Sequence, residues 1–163
     1  MTSLQRLYAR GNSGINNKSL QSLGNLLLLD IYNNTNITNI NYLSNLRDLR
    51  ANGSCRLKDN GLNMLNRIEH LVVSDNPNIE NIDNMTNLQI LVARGDCGIS
   101  NNSLRGMTTL TELFICHNHS VTNINHLVKL KVLNIKGCYN IGNEDISKLT
   151  NLNTLKRDGP YFL

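Results

Sequence analysis

A pair of apolar residues, spaced three apart, recurs eight times along the 163 residues and limits the possible folds more than any other feature. The starts of successive pairs are alternately 22 and 20 residues apart, so long and short repeats alternate. The pairs are Leu4/Leu7, Leu26/Leu29, Leu46/Leu49, Ile68/Leu71, Leu88/Leu91, Leu110/Leu113, Leu130/Leu133 and Leu152/Leu155. Such regularity predicts a repeat architecture in which each repeat buries its core against its neighbours.

Each repeat has a fixed pattern, in which the first residue of the pair is called place one. Places one, four and six are apolar, and this alternation puts places four and six on one face of a short strand. Places two, three, five, seven and eight then face the opposite side or its rim. We expect place nine to point inward, where a small polar side chain satisfies backbone groups of the neighbouring repeat. Place nine reads Asn12, Asn34, Ser54, Asn76, Asp96, Asn118 and Cys138.

The segment after each strand differs between the two repeat types. Long repeats carry a second apolar pair preceded by Asn, Asp or Ser, which predicts one or two capped helical turns. Short repeats leave room only for a 3₁₀ turn. Long repeats also place a glycine just before the bend, where it permits a left-handed turn. These glycines are Gly11, Gly53, Gly95 and Gly137.

The pattern L-x-x-L-x-[IVA]-x-x-N-x-x-I over residues 4–159 resembles the leucine-rich repeat family. Short units such as LLLLDIYNNTNITNINYLSN resemble internalin-like repeats, and long units such as LQILVARGDCGISNNSLRGM resemble cysteine-containing repeats. The resemblance implies an α/β solenoid, with a curved parallel sheet on its concave face and short helices or 3₁₀ turns on its convex face. We expect one domain over residues 1–163, with repeats at 4–25, 26–45, 46–67, 68–87, 88–109, 110–129 and 130–151 and a closing half-repeat at 152–163.

The two ends give different expectations. No capping segment precedes Leu4, and solenoids generally need one, so Leu4, Leu7 and Leu20 are expected to be partly exposed and to favour self-association, such as a homodimer. At the other end, Tyr161–Leu163 could fold over the last core layer.

Several chemistries find no support in the sequence. No apolar run is longer than four residues, the length of Leu26–Leu29, which is too short for a membrane span or a signal-peptide core. The run Cys116–His119 lacks a second cluster that would complete a tetrahedral metal site. No phosphate-binding loop or nucleophile–base pair is recognisable. We therefore expect no cofactor, no metal and no enzymatic activity.

The cysteines indicate the compartment. Cys55, Cys97 and Cys138 recur in alternate repeats, about 10 Å apart at the usual strand spacing, which is too far for a disulfide. Four free thiols favour a reducing, intracellular location, in the cytoplasm of the producing cell or of a host.

The side of the sheet away from the core carries apolar residues that the core does not require. Five of them, at places three and five, fall on four consecutive strands and are flanked by Arg50, Arg94 and Lys136. An exposed apolar patch with a charged rim is typical of a protein-binding surface, although strands favour such residues in any case. The predicted binding residues are Leu28, Tyr32, Arg50, His70, Val72, Ile90, Val92, Arg94, Phe114, Val132 and Lys136.

Three functions stay open. The leading hypothesis is a protein-recognition module. An anionic-surface or nucleic-acid binder is suggested by the isoelectric point near 9.0. However, places two, three, five, seven and eight carry eight Arg or Lys against six acids, a balance of only +2, and few aromatic residues. The third hypothesis is a structural protein that assembles through its N-terminal end.

Overall fold

A computed structural model describes residues 3–158, which form one eight-stranded parallel sheet with the strands in chain order. Every strand has three residues at places three to five, and the register pairs equal places throughout. The strands are β1 (Arg6–Tyr8), β2 (Leu28–Asp30), β3 (Asp48–Arg50), β4 (His70–Val72), β5 (Ile90–Val92), β6 (Glu112–Phe114), β7 (Val132–Asn134) and β8 (Thr154–Lys156). The predicted solenoid with a parallel sheet is confirmed.

The core lies between the sheet and the segments that connect its strands. Places one, four and six supply it, and in the repeat that begins at Leu26 the residues Leu26, Leu29 and Ile31 are all fully buried. The second apolar pair of each repeat closes the core from the other side, as Ile40 and Leu43 do in that repeat. Stacked repeats thus share one continuous apolar cluster, which no single repeat could bury alone.

The connecting segments follow the predicted difference between repeat types, with one exception. Three long repeats contain short α-helices, α1 (Asn17–Leu20), α2 (Asn101–Leu104) and α3 (Asn143–Ser147), whereas the third repeat has only a 3₁₀ turn at Asp59–Gly61. In the first short repeat the turn is closed by the Leu43 amide donating to the Ile40 carbonyl at 2.9 Å. The other two short repeats of the described chain contain the equivalent bond.

Buried asparagines link each short repeat to the long repeat before it. Asn76 is fully buried, and its Nδ2 donates to the Ala51 carbonyl oxygen at 2.6 Å and to Cys55 Sγ at 3.1 Å. Its Oδ1 accepts from the Asn78 amide at 3.0 Å. Asn34 and Asn118 make equivalent bonds to Ala9 and Ala93. The small alanine at place six leaves room for the amide beside it.

The expectation that place nine points inward in every repeat is wrong for the first three long repeats. There Asn12, Ser54 and Asp96 are exposed. In two of these repeats the inner position belongs to place ten, where Cys55 and Cys97 are buried and donate to the place-six carbonyls at 3.1 and 3.2 Å. Place nine of these long repeats is exposed because long and short repeats alternate. The asparagine of the next short repeat already fills the space beside the place-six alanine of the long repeat.

Place eight adopts the left-handed conformation in each of the first seven repeats, which confirms the predicted role of the glycines. Short repeats use residues that tolerate this conformation and long repeats use glycine. The residues are Gly11, Asn33, Gly53, Asp75, Gly95, His117 and Gly137, with φ between 52° and 73°. Space also requires glycine, because a Cβ on Gly95 would collide with the Asp75 carboxylate.

The ends of the sheet differ from the expectation at one residue. Leu4 and Leu7 are partly exposed, as expected, but Leu20 is fully buried because α1 turns it into the common core. At the other end β8 is exposed along its length, and Arg157 Nη1 donates to Asn143 Oδ1 at 2.7 Å. The expected packing of Tyr161–Leu163 lies outside the described residues.

Replacement of Gly95 tests the two requirements at place eight. We expect Gly95→Ala to lower the free energy of unfolding by about 1–3 kcal/mol, because it combines a left-handed alanine with the steric conflict. In the double variant with Asp75→Gly, the steric part of the loss should be recovered. Gly106→Ala is the control, since nothing lies within 4 Å of its added Cβ. Equal stability of Gly95→Ala and Gly106→Ala in urea unfolding would contradict this placement.

Candidate functional site

The side of the sheet that faces away from the core is the candidate site, and we call it the sheet face. Its residues come from places three, five and seven, because strand alternation turns these away from the buried places four and six. On β4 to β7 the burial pattern is the same, with the central residue buried and its two neighbours half-buried. The side chains at places three and five are therefore accessible without being needed for the core.

Five apolar side chains lie together on the sheet face, with Glu112 on β6 between Ile90 and Val132, and they are called here the apolar patch. Val72, Val92 and Phe114 are direct partners across β4, β5 and β6. Ile90 lies beside Val92 on β5, and Val132 lies on β7 next to β6. All five are half-buried and outside the core cluster, so the structure brings these predicted residues together on neighbouring strands.

Two exposed cations border the apolar patch at place seven. The Arg94 guanidinium lies over the Phe114 ring, 5.8 Å from its centroid, which is within the range of a cation–π contact. Lys136 lies two repeats further along the same row and is exposed. Between them stands Cys116, which is half-buried.

The first half of the sheet face is polar and contains a groove of about 430 Å³. The Asp30 side chain is 1% exposed, and its Oδ2 accepts from Arg10 Nε at 2.8 Å and Nη2 at 2.6 Å. This hydrogen bond, together with the charge of the carboxylate, raises the pKa of the Arg10 guanidinium. Asp48 stands 3.4 Å from Arg50 Nε and 3.9 Å from His70 Nδ1.

The structure divides the predicted site residues into two groups. Tyr32, Arg50 and His70 line the polar groove, together with Val72 and Ile90, where the groove meets the apolar patch. Leu28 lies on β2 between Arg6 and Asp48 but does not line the groove. Arg94, Val92, Phe114, Val132 and Lys136 form the other group.

Sequence reasoning missed the acids that organise the groove. Asp30 and Asp48 occupy places five and three, the rows that supplied the apolar patch, so the repeat frame already pointed to them. Their pairing with Arg10 and Arg50 was not foreseen because it depends on how long side chains reach between strands.

The thiols differ in environment. Burial raises the pKa of Cys55 to about 11 and also raises the pKa of Cys97 and of Cys138. Each of these three donates its Sγ hydrogen to a backbone carbonyl. All four cysteines are free in the structure, and Cys116 alone among them is not buried.

Two other kinds of site were sought over residues 3–158. No group of three His, Cys, Asp or Glu side chains lies close enough there to hold a metal ion. His117 packs over Gly137, and His119 is exposed on the bend. No helix in this part of the chain is long and apolar enough to span a membrane.

Comparison with known proteins rests on structure. No family model matches the chain, and no curated protein matches its sequence. The functional domain of InlJ from Listeria monocytogenes, which includes a cysteine ladder, superposes with a TM-score of 0.73 at 22% identity, over 96% of this chain and 35% of that one. This protein has the leucine-rich repeat fold. Internalin C2 from the same bacterium gives a TM-score of 0.66 at 23% identity, over 93% of this chain and 80% of that one.

A leucine-rich repeat protein from another kingdom is also similar. It is the ectodomain of the receptor kinase GASSHO1/SCHENGEN3 from Arabidopsis thaliana, solved in complex with CASPARIAN STRIP INTEGRITY FACTOR 2. The TM-score is 0.62 at 23% identity, over 94% of this chain and 22% of that one.

Thiol reactivity tests the geometry of the sheet face. With iodoacetamide at pH 7.5 the folded protein should be alkylated at Cys116 first, because burial and a raised pKa protect the other three thiols. Peptide mapping by mass spectrometry identifies the modified residue. The unfolded protein in urea is the control, since all four should react there at similar rates. Fast native labelling of Cys55 would contradict the described core.

Proposed function

We propose that this protein is a non-enzymatic recognition module that binds a protein partner through the apolar patch on its sheet face. The observation that supports this most is the patch itself. Five apolar side chains are held at half exposure on four consecutive strands, although the core does not use them. Contiguous apolar surface with a charged border is typical of protein-binding sites.

The polar groove argues for a protein partner over a nucleic acid. Arg10 and Arg50 are paired with Asp30 and Asp48, and Arg47 forms an ion pair with Glu69 at the edge of the sheet. The two arginines that line the groove are thus neutralised, so the groove offers no unpaired Lys or Arg to a phosphate backbone, which needs several of them. The anionic-surface alternative is thus the weaker proposal.

Self-association through the N-terminal end remains a secondary proposal. Leu4 and Leu7 are partly exposed and pack against the core, so a second copy could cover them. Leu20 no longer contributes to this proposal, because it is buried. An intracellular location is also proposed, and it is supported by the four free thiols.

Capture of a partner from a host-cell lysate, followed by affinity measurement with variants, tests the binding surface. Phe114→Ser should weaken binding of the purified partner by about 2 kcal/mol or more, since an aromatic side chain at the centre of an interface contributes a large share of the binding energy. The fold should survive, because Phe114 lies outside the core.

Two controls lie away from the sheet face. Met64→Ser removes an apolar side chain that is 66% exposed on a connecting segment, and Gln21→Ser changes an exposed residue at the end of α1. Both should bind the partner like the unmodified protein. If Phe114→Ser binds as well as these controls while it remains folded by circular dichroism, the apolar patch is not the binding surface.

A further inference from the structure

The cations of the sheet face are not equivalent in the part of the chain that the structure describes. Arg10, Arg47 and Arg50 each have an acidic partner within 4 Å. Arg94 and Lys136, which border the apolar patch, have no ion pair over residues 3–158. The two arginines that line the polar groove are therefore paired with acids, whereas the two cations at the border of the apolar patch are not.

The position of Arg94 leaves its hydrogen-bond donors available. The Phe114 ring lies under the guanidinium, and the Arg94 backbone amide donates to Ser74 Oγ at 3.1 Å. The side chain is exposed, and no hydrogen bond or ion pair within residues 3–158 engages its N–H groups. A guanidinium supported in this way can donate two parallel hydrogen bonds to the two oxygens of a carboxylate.

The neighbouring acids do not neutralise this border. Asp158 accepts from the Gly137 amide at 2.6 Å, so its carboxylate is already engaged by the backbone. Asp75 packs against Gly95 on the other side of Arg94 from Phe114. Glu112 lies within the apolar patch, at place three on β6 between Ile90 and Val132, and forms no ion pair over residues 3–158. Asp96 is exposed on the bend beyond Arg94.

We infer that the partner presents a short extended segment that combines apolar side chains with a carboxylate. The apolar side chains contact Val92 and Phe114, and the carboxylate accepts from Arg94, with Lys136 adding favourable charge. The apolar patch crosses four strands, about 14 Å at the usual spacing, which matches four or five extended residues. This inference rests on the proposed function, because it specifies the chemistry of the ligand for the same surface.

Three labelled peptides test this chemistry by fluorescence anisotropy. They share the pattern Gly-Leu-Gly-Leu-Gly-X-Gly with blocked ends, so that the Leu and X side chains lie on one face of the extended peptide, and X is Asp, Asn or Lys. We expect the Asp peptide to bind about tenfold or more tightly than the Asn peptide, because only the carboxylate makes charge-assisted bonds to the guanidinium. The Lys peptide should bind most weakly. Bound Asp peptide should also slow the alkylation of Cys116, which lies between the two cations.

Charge reversal supplies the matched comparison. Arg94→Glu should remove the preference for the Asp peptide and improve binding of the Lys peptide, whereas Arg105→Glu, at the exposed end of α2, should change neither. Equal binding of the Asp and Asn peptides, or no measurable binding of any peptide, would overturn the inference. If all peptides bind equally and Phe114→Ser weakens them all, the carboxylate is excluded while the apolar patch remains the binding surface. Failure of the proposed function would instead appear as unchanged partner capture by Phe114→Ser.

Discussion

The buried asparagine of each short repeat is the interaction on which the rest of the structure depends. Parallel repeats bring backbone carbonyls into the interior at every bend, and these need partners once water is excluded. Asn34, Asn76 and Asn118 supply them by donating to the alanine carbonyl of the preceding long repeat. Because each amide also accepts from a backbone amide of its own repeat, it fixes the bend and the neighbour together.

This arrangement explains why two repeat types alternate. The alanine at place six and the glycine at place eight of a long repeat both leave room for side chains of a short repeat. Asn76 fills the space beside Ala51, and Asp75 fills the space over Gly95. With the inner places assigned in this way, the sheet face is free to vary, and there the chain carries the apolar patch and the polar groove.

Periodicity predicted the sheet, its register and the apolar patch, since all three follow from which places face the core. Phe114 and Val92 could be assigned to one surface because equal places pair across parallel strands. The exposed place nine of the long repeats could not be predicted, because Ser54 and Asn76 occupy the same place and only packing between repeats distinguishes them. The Arg10–Asp30 pair was missed for a similar reason, as it depends on the reach of a flexible side chain.

A comparison of two single variants tests the central interaction most directly. Asn76→Ala leaves the Asn78 amide without its partner and removes one of the two donors to the Ala51 carbonyl, so its free energy of unfolding should fall by about 2 kcal/mol or more. Ser54→Ala occupies the same place in a long repeat but is exposed, so its free energy of unfolding should stay within about 0.5 kcal/mol of the unmodified protein. Equal losses for the two variants in urea unfolding would contradict this account of the alternating repeats.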